Sequence, residues 1–196
     1  MPHAVNDEAL DTIFRAARSQ NKWLGKPVSP ALLMAVYDLM RMGPTSANCS
    51  PARIVFLVSP EAKERLKPFL IPSNVAKAMT APAIAIIGYD LDFPERMPKL
   101  FPHNPGAANW FGDPVLRQTT AFRNGSLQGA YFIVAARALG LDCGPMSGFG
   151  NDAVDKEFFA GTNVKSNFIC GVGYGDPSAV LARSPRLEFD EACKIL

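Results

Sequence analysis

Apolar residues recur at the helical period in several stretches of this chain. Leu10, Ile13, Phe14 and Ala17 follow Asn6, a suitable N-cap, and predict a helix over about Asp7–Ser19. Ser29 caps the next helix, Pro30 suits its first turn, and Leu33, Val36, Tyr37 and Met40 form its stripe as far as Gly43. Leu127, Ala130, Tyr131, Val134 and Ala138 belong to a long helix over about Val115–Leu139. Shorter helices are predicted near Glu61–Phe69, Asn74–Met79 and Asp152–Phe158. Apolar runs predict strands at Ile54–Val58, Ala83–Gly88 and Phe168–Val172, with a short extended piece at Cys143–Met146. No repeat or low-complexity tract interrupts the series. A chain of 196 residues, 48% of them hydrophobic, is long enough for one domain with a full core, spanning 1–196.

Some segments break the pattern. Between Pro94 and Pro114 the prolines exclude a long helix, while Phe101, Trp110 and Phe111 argue against a solvated linker. This is an ordered excursion, either a lid or a surface loop whose aromatics tuck into the core. Arg41–Arg53 packs hydroxyls and an amide into a turn too polar for a core. It is either a helix C-cap with a proline stop or a loop built to hydrogen-bond something. Gly125, Ser126, Gly129 and Ala130 leave room for another backbone, or reflect crowding in a buried helix. Gly140, Gly144 and Gly148 bracket a helix end, an extended piece and a turn, where main-chain N–H groups can face a flat ligand. Arg183 and Arg186 stand close enough to grip a phosphate through forked hydrogen bonds, or to form a solvated tail.

Charge and composition narrow the function. Lys and Arg total 20 against 18 Asp and Glu, a net charge of +2 with no basic run, which argues against nucleic acid as a partner. The stretch Met1–Glu8 has no basic start followed by an apolar segment, and the apolar run Ala81–Tyr89 is too short to span a bilayer. A cytoplasmic protein with no membrane partner is expected. Cys49, Cys143, Cys170 and Cys193 are scattered, as reduced thiols would be, rather than spaced for zinc or disulfides. The only histidines, His3 and His103, leave a Ser-His-Asp triad or a histidine-rich metal site unsupported. No metal is expected, and any hard chemistry would come from an organic cofactor.

The order Pro44-Thr45-Ser46-Ala47-Asn48-Cys49-Ser50-Pro51 resembles the flavin-contacting loop of the nitroreductase family, Pro-Ser-Ser-x-Asn-x-Gln-Pro. Pro145-Met146-Ser147-Gly148-Phe149 resembles the family segment whose main-chain N–H faces the flavin N5. Asn74 and Lys77 stand where the family places an Asn and a Lys near the pyrimidine and ribityl parts. Gly173-Tyr174-Gly175-Asp176, followed by Arg183 and Arg186, resembles the C-terminal phosphate clamp. Arg18, Ser19 and Trp23, before Pro27-Val28-Ser29, match the N-terminal clamp. Ala17 and Asn21 occupy positions where the family usually has cations, so Asn21 would be an uncharged contact and Arg15 or Lys22 the replacement charges. These departures, with Gly144-Pro145-Met146-Ser147-Gly148-Phe149, resemble the malonic semialdehyde reductases of pyrimidine catabolism. The resemblance spans Phe14 to Leu196.

The resemblance implies an α+β fold, an α–β–α sandwich around a mostly antiparallel sheet, in an intertwined homodimer with FMN at the interface. The Asn48 loop would come from the partner of the subunit supplying Arg18, Ser147 and Arg186. It further implies an oxidoreductase that moves hydride from NADH or NADPH through FMN to a second substrate. That substrate is a small 3-oxo acid such as malonic semialdehyde, or else a broad set of nitro compounds and quinones. A flavin carrier without turnover is the reading from another class. No side-chain acid stands out, which leaves water, the flavin ribityl hydroxyl, Thr45 or Ser46 to protonate a carbonyl. An anionic substrate calls for a fixed cation, Arg53 or Arg123, with Trp110 and Phe111 closing over it.

Overall fold

One antiparallel sheet of order β1-β2-β4-β3 organises the chain, with β1 at Ala52–Leu57, β2 at Ala83–Asp90, β3 at Asp142–Met146 and β4 at Val164–Gly173. The computed structural model describes residues 3–196, so the first two residues of the Met1–Glu8 stretch lie outside it. Every residue of β2 is buried. Ala83, Ala85 and Ile87 pack with Leu33, Val36, Met40 and Phe132 on one face, while Ile84 and Ile86 meet Leu66, Ala78, Val154 and Ile169 on the other. A strand covered on both sides requires an unbroken apolar run, which is what Ala83–Ile87 supplies.

Helices α2 (Pro30–Met40) and α6 (Pro114–Ala138) cover the first face, and α3 (Pro60–Leu66), α4 (Pro72–Thr80) and α7 (Asn151–Phe158) the second. This is the α–β–α sandwich expected, and all its strand pairings are antiparallel. The caps read from sequence form: Asn6 Oδ1 accepts from the Ala9 N–H at 2.9 Å and Ser29 Oγ from the Leu32 N–H at 3.2 Å. The first helix is shorter than expected. It runs as α1 over Asp7–Leu10 and a wider π turn over Asp11–Arg15, because Ser19 pairs with Cys143 and pulls the following backbone straight. Phe14, in the π turn, and Tyr37, on α2, are exposed and do not enter the core.

The proline-rich excursion is a series of 3-10 turns around α5 (Met97–Leu100). Phe93, Met97, Ala107 and Phe111 bury themselves with Cys49 and Tyr89, and the Phe93 and Phe111 rings meet edge-on at 4.8 Å. Its aromatics therefore tuck into the core, and Phe111 is not free to close over a substrate. Trp110 remains half exposed.

Gly125 on α6 faces β2, where a Cβ would lie 2.8 Å from Tyr89 Cβ. Ser126 and Ala130 instead border an open shelf with Arg123. Alanine is the better helix former by about 1 kcal/mol, yet Gly125→Ala is expected to destabilise the fold by about 1–3 kcal/mol through overpacking. A urea midpoint that stays level or rises would mean that α6 does not seat against β2 this closely.

Candidate functional site

With both sheet faces covered, hydrogen-bonding groups collect at the edges. Beyond β3, the chain from Ser19 to Trp23 lies along the strand edge: the Gln20 N–H donates to Cys143 O at 2.9 Å, and the Leu24 N–H to Tyr174 O at 2.8 Å. This strap begins in a cavity of about 310 Å³ lined by Arg18, Ser19, Asn21, Arg137, Arg183 and Arg186, among others. No carboxylate lines it among the described residues. Main-chain carbonyls hold the guanidiniums in place. Arg18 donates to Leu181 O at 2.6 Å, Arg183 to Arg15 O at 2.7 Å and Ala17 O at 3.1 Å, and Arg186 to Ser184 O at 2.9 Å. Four cations held together without a counter-ion make a receptor for a compact anion such as a phosphate monoester.

The structure thus brings Arg18, Ser19, Asn21, Arg183 and Arg186 together. Sequence reasoning missed Arg137, which reads as an ordinary basic residue in the last turn of a helix. The proposed substitute Arg15 is engaged elsewhere, with Asp7 at 2.6 Å and Asp11 at 3.2 Å, and Lys22 does not line the cavity.

The strap joins this cavity to a second group through β3. Trp23 Nε1 donates to Lys77 O at 2.9 Å, and Lys77 Nζ to Pro145 O at 3.2 Å. Burial holds the Lys77 ammonium below the usual lysine pKa. Asn74 Nδ2 donates to Gly148 O at 3.0 Å, and the Ile71 N–H to the same oxygen at 3.1 Å. A Cβ on Gly148 would run into the Ile71 side chain and come within 2.9 Å of Asn74 Nδ2, so a larger residue would have to displace both. Met146 is buried beneath the turn and Ser147 is exposed on it.

The polar loop stands at the opposite edge, entering β1. Ala47, Asn48 and Ser50 adopt positive φ of 47°, 51° and 39°, a left-handed backbone rarely found outside glycine. Tyr131 Oη donates to Pro44 O at 3.0 Å, the Ser50 N–H to Thr45 Oγ1 at 3.1 Å, and the Ser46 N–H to Asn124 Oδ1 at 2.8 Å. Asn48 Nδ2 donates to Leu100 O at 2.8 Å, which leaves its Oδ1 as the free end of the amide. Asn124 and Gln128, buried polar residues of α6, hold this loop and the start of β1. Their signal was two amides spaced four apart on the inward stripe of α6.

The two candidate substrate cations differ. Arg53 pairs with the largely buried Asp90 at 2.7 Å and donates to Ser50 O and Ala52 O. Arg123 lies on an open shelf of about 530 Å³ with Phe122, Ser126 and Leu127, and forms no ion pair among the described residues. A further hollow, about 970 Å³, is an apolar groove between α2 and β1 with Arg53, Arg96 and Lys99 on its lining. The thiols offer no nucleophile among the buried cysteines whose titration is displaced. Burial pushes Cys49 up to about 11, and a hydrogen bond with Cys170 together with burial raises Cys143.

The family model described as Nitroreductase family matches residues 3–175. The chain is 61% identical over 192 residues to a protein of Cupriavidus pinatubonensis provisionally named NADH dehydrogenase/NAD(P)H nitroreductase, covering 96% of this chain and 98% of that protein. It is 60% identical over 190 residues to HadB of Ralstonia pickettii, which bears the same provisional name, covering 95% and 97%. Its fold is similar to that of a provisionally named nitroreductase in complex with FMN from Exiguobacterium sibiricum 255-15, with a TM-score of 0.87 at 15% identity over 100% of both chains.

Removing the Arg53 head group would leave the Asp90 carboxylate largely buried without its partner. Arg53→Met is therefore expected to lower stability by about 1–3 kcal/mol, measured by urea unfolding. A variant of wild-type stability would return Arg53 to the pool of free cations.

Proposed function

The chain belongs to the nitroreductase family, and on that premise we propose that it is an FMN-dependent NAD(P)H oxidoreductase. We place it in the cytoplasm as a homodimer of one domain per chain, reducing a small 3-oxo acid such as malonic semialdehyde. The observation that carries the reading is the carboxylate-free arginine cavity, joined through Ser19 and β3 to the Asn74, Lys77 and Gly148 seam. Its donors fit a flavin mononucleotide at both ends. Arg18, Ser19, Arg183 and Arg186 take the phosphate, with Asn21 at the rim. Asn74, Lys77 and the main chain of Pro145, Met146, Ser147 and Gly148 border the ribityl and ring portions.

When bound, FMN supplies hydride exchange between NADH or NADPH and a second substrate. The chain's own residues bind, orient and exclude water. Thr45 Oγ1 accepts from the Ser50 N–H and also hydrogen-bonds the Cys49 thiol, and Ser46 follows it in the chain.

Pro44, Thr45, Ser46 and Asn48 lie across the sheet from the arginine cavity, so they serve the site of a second copy. Large apolar side chains exposed on the outer faces of α2 and α6 support that assembly: Met34 is 68% exposed, Leu116 44% and Phe122 50%. Arg123 lies on the α6 face without an ion pair among the described residues, and of the two candidates it is the one suited to a substrate carboxylate. A second reading is broad reduction of nitro compounds and quinones, and the nitroreductase names of the relatives support its nitro part.

The purified protein is expected to be yellow and to release FMN on denaturation, and NADH or NADPH should bleach it. A protein that binds no added FMN would overturn the whole reading, and bound flavin that neither nucleotide bleaches would favour a carrier. Arg123→Met should raise KM for malonic semialdehyde about tenfold or more, the loss of a charge-assisted hydrogen bond, while sparing quinone reduction. Equal losses on both substrates would remove the carboxylate-selective role.

A further inference from the structure

Arg137 stands out among the lining of the arginine cavity. It arrives from the last turn of α6, not from the strap or the C-terminal segment that carry the other three arginines. Its Nη1 donates to Ile13 O at 3.0 Å, while its Nε is shut off from water and has no acceptor. A buried donor without a partner is costly to the fold, and a guanidinium with five N–H groups in a cavity without carboxylates has donors to spare. The segment from Arg15 to Trp23 meanwhile offers only Arg18 among its arginines, since Ala17 and Asn21 are neutral and Arg15 is paired with Asp7 and Asp11.

We propose that Arg137 is a fourth anion-binding cation of this cavity, taking a share of the phosphate monoester dianion that the strap leaves unmatched. The inference rests on the FMN reading and extends it to a residue outside the matched motifs. It gives α6 a part at both sheet edges: Asn124 and Gln128 fix the loop before β1, and Arg137 reaches the cavity beyond β3.

The test compares FMN with riboflavin, which lacks the phosphate, on flavin-stripped dimeric protein followed by flavin fluorescence. Arg137→Met should weaken FMN by about tenfold to a hundredfold, the effect of one charge-assisted bond, and leave riboflavin unchanged. Arg137→Lys keeps one charge but loses the fork, and should fall between; it carries the test alone if the Met variant does not fold. Equal weakening of both flavins would make Arg137 a support for Ile13 and overturn the proposal, as would no change for either. If the site instead takes the 2′-phosphate of NADPH, the variant would lower kcat/KM for NADPH against NADH and leave the FMN preference at its wild-type width, which also overturns it. Inorganic phosphate separates this inference from the flavin reading. Should the wild type bind neither flavin, a rise in Tm with phosphate that Arg137→Met abolishes would uphold the cation site, and a rise that persists would overturn it.

Discussion

Helices cover both faces of the sheet, so a polar side chain anywhere in the Ala83–Ile87 run of β2 would be desolvated among apolar neighbours without a partner. That constraint decides where chemistry can sit. Hydrogen-bonding groups are displaced to the two edges, and the edges are β1 and β3. With strands spaced about 4.8 Å apart, the Asn48 loop and the Gly148 turn stand at least three strand spacings apart within one chain. Neither edge alone resembles a complete flavin site. The β3 edge has cations and a glycine seam but no cover, and the β1 edge has a strained polar loop but no anion pocket.

The arginine cavity shows the electrostatic side of the same constraint. Guanidiniums crowded together repel one another, and a surface carboxylate would ordinarily relieve them. Carbonyls of Leu181, Arg15, Ala17 and Ser184 orient three of them instead, so the positive charge is retained for a ligand. Elsewhere Arg15 pairs with Asp7, Arg53 with Asp90 and Arg65 with Glu157, whereas Arg123 on its open shelf has no carboxylate partner among the described residues. What sets the cavity apart is that four guanidiniums share it with no carboxylate in its lining, and α6 serves both edges while Gly125 lets it lie close to β2.

Much of the fold was legible because local signals agreed with tertiary packing. The Ser29 cap with Pro30, the apolar run of β2 and the long stripe of α6 each specify an element without help from distant residues. The first helix was overextended because its end is set by the pairing of Ser19 with Cys143, a contact 124 positions away that no local pattern encodes. Phe111 was misplaced for a related reason: composition shows that aromatics sit in the excursion, not which ring turns inward. In the candidate site, the members of motifs were legible from their order, Arg18 and Arg183 among them. Arg137, Asn124 and Gln128 were not, since they belong to a helix whose periodicity explains it without them.

The central claim is that the loop at the β1 edge of one copy completes the cavity at the β3 edge of another. Co-expression of an Asn48→Ala chain with an Arg186→Ala chain tests it directly, because each homodimer carries two damaged sites. If the site is shared, the mixed dimer gathers both lesions in one site and leaves the other intact, so tight FMN binding returns at about a quarter of all sites under random pairing. If both residues acted within a single chain, every site in the mixture would remain damaged, and an FMN titration without a tight fraction would contradict the account.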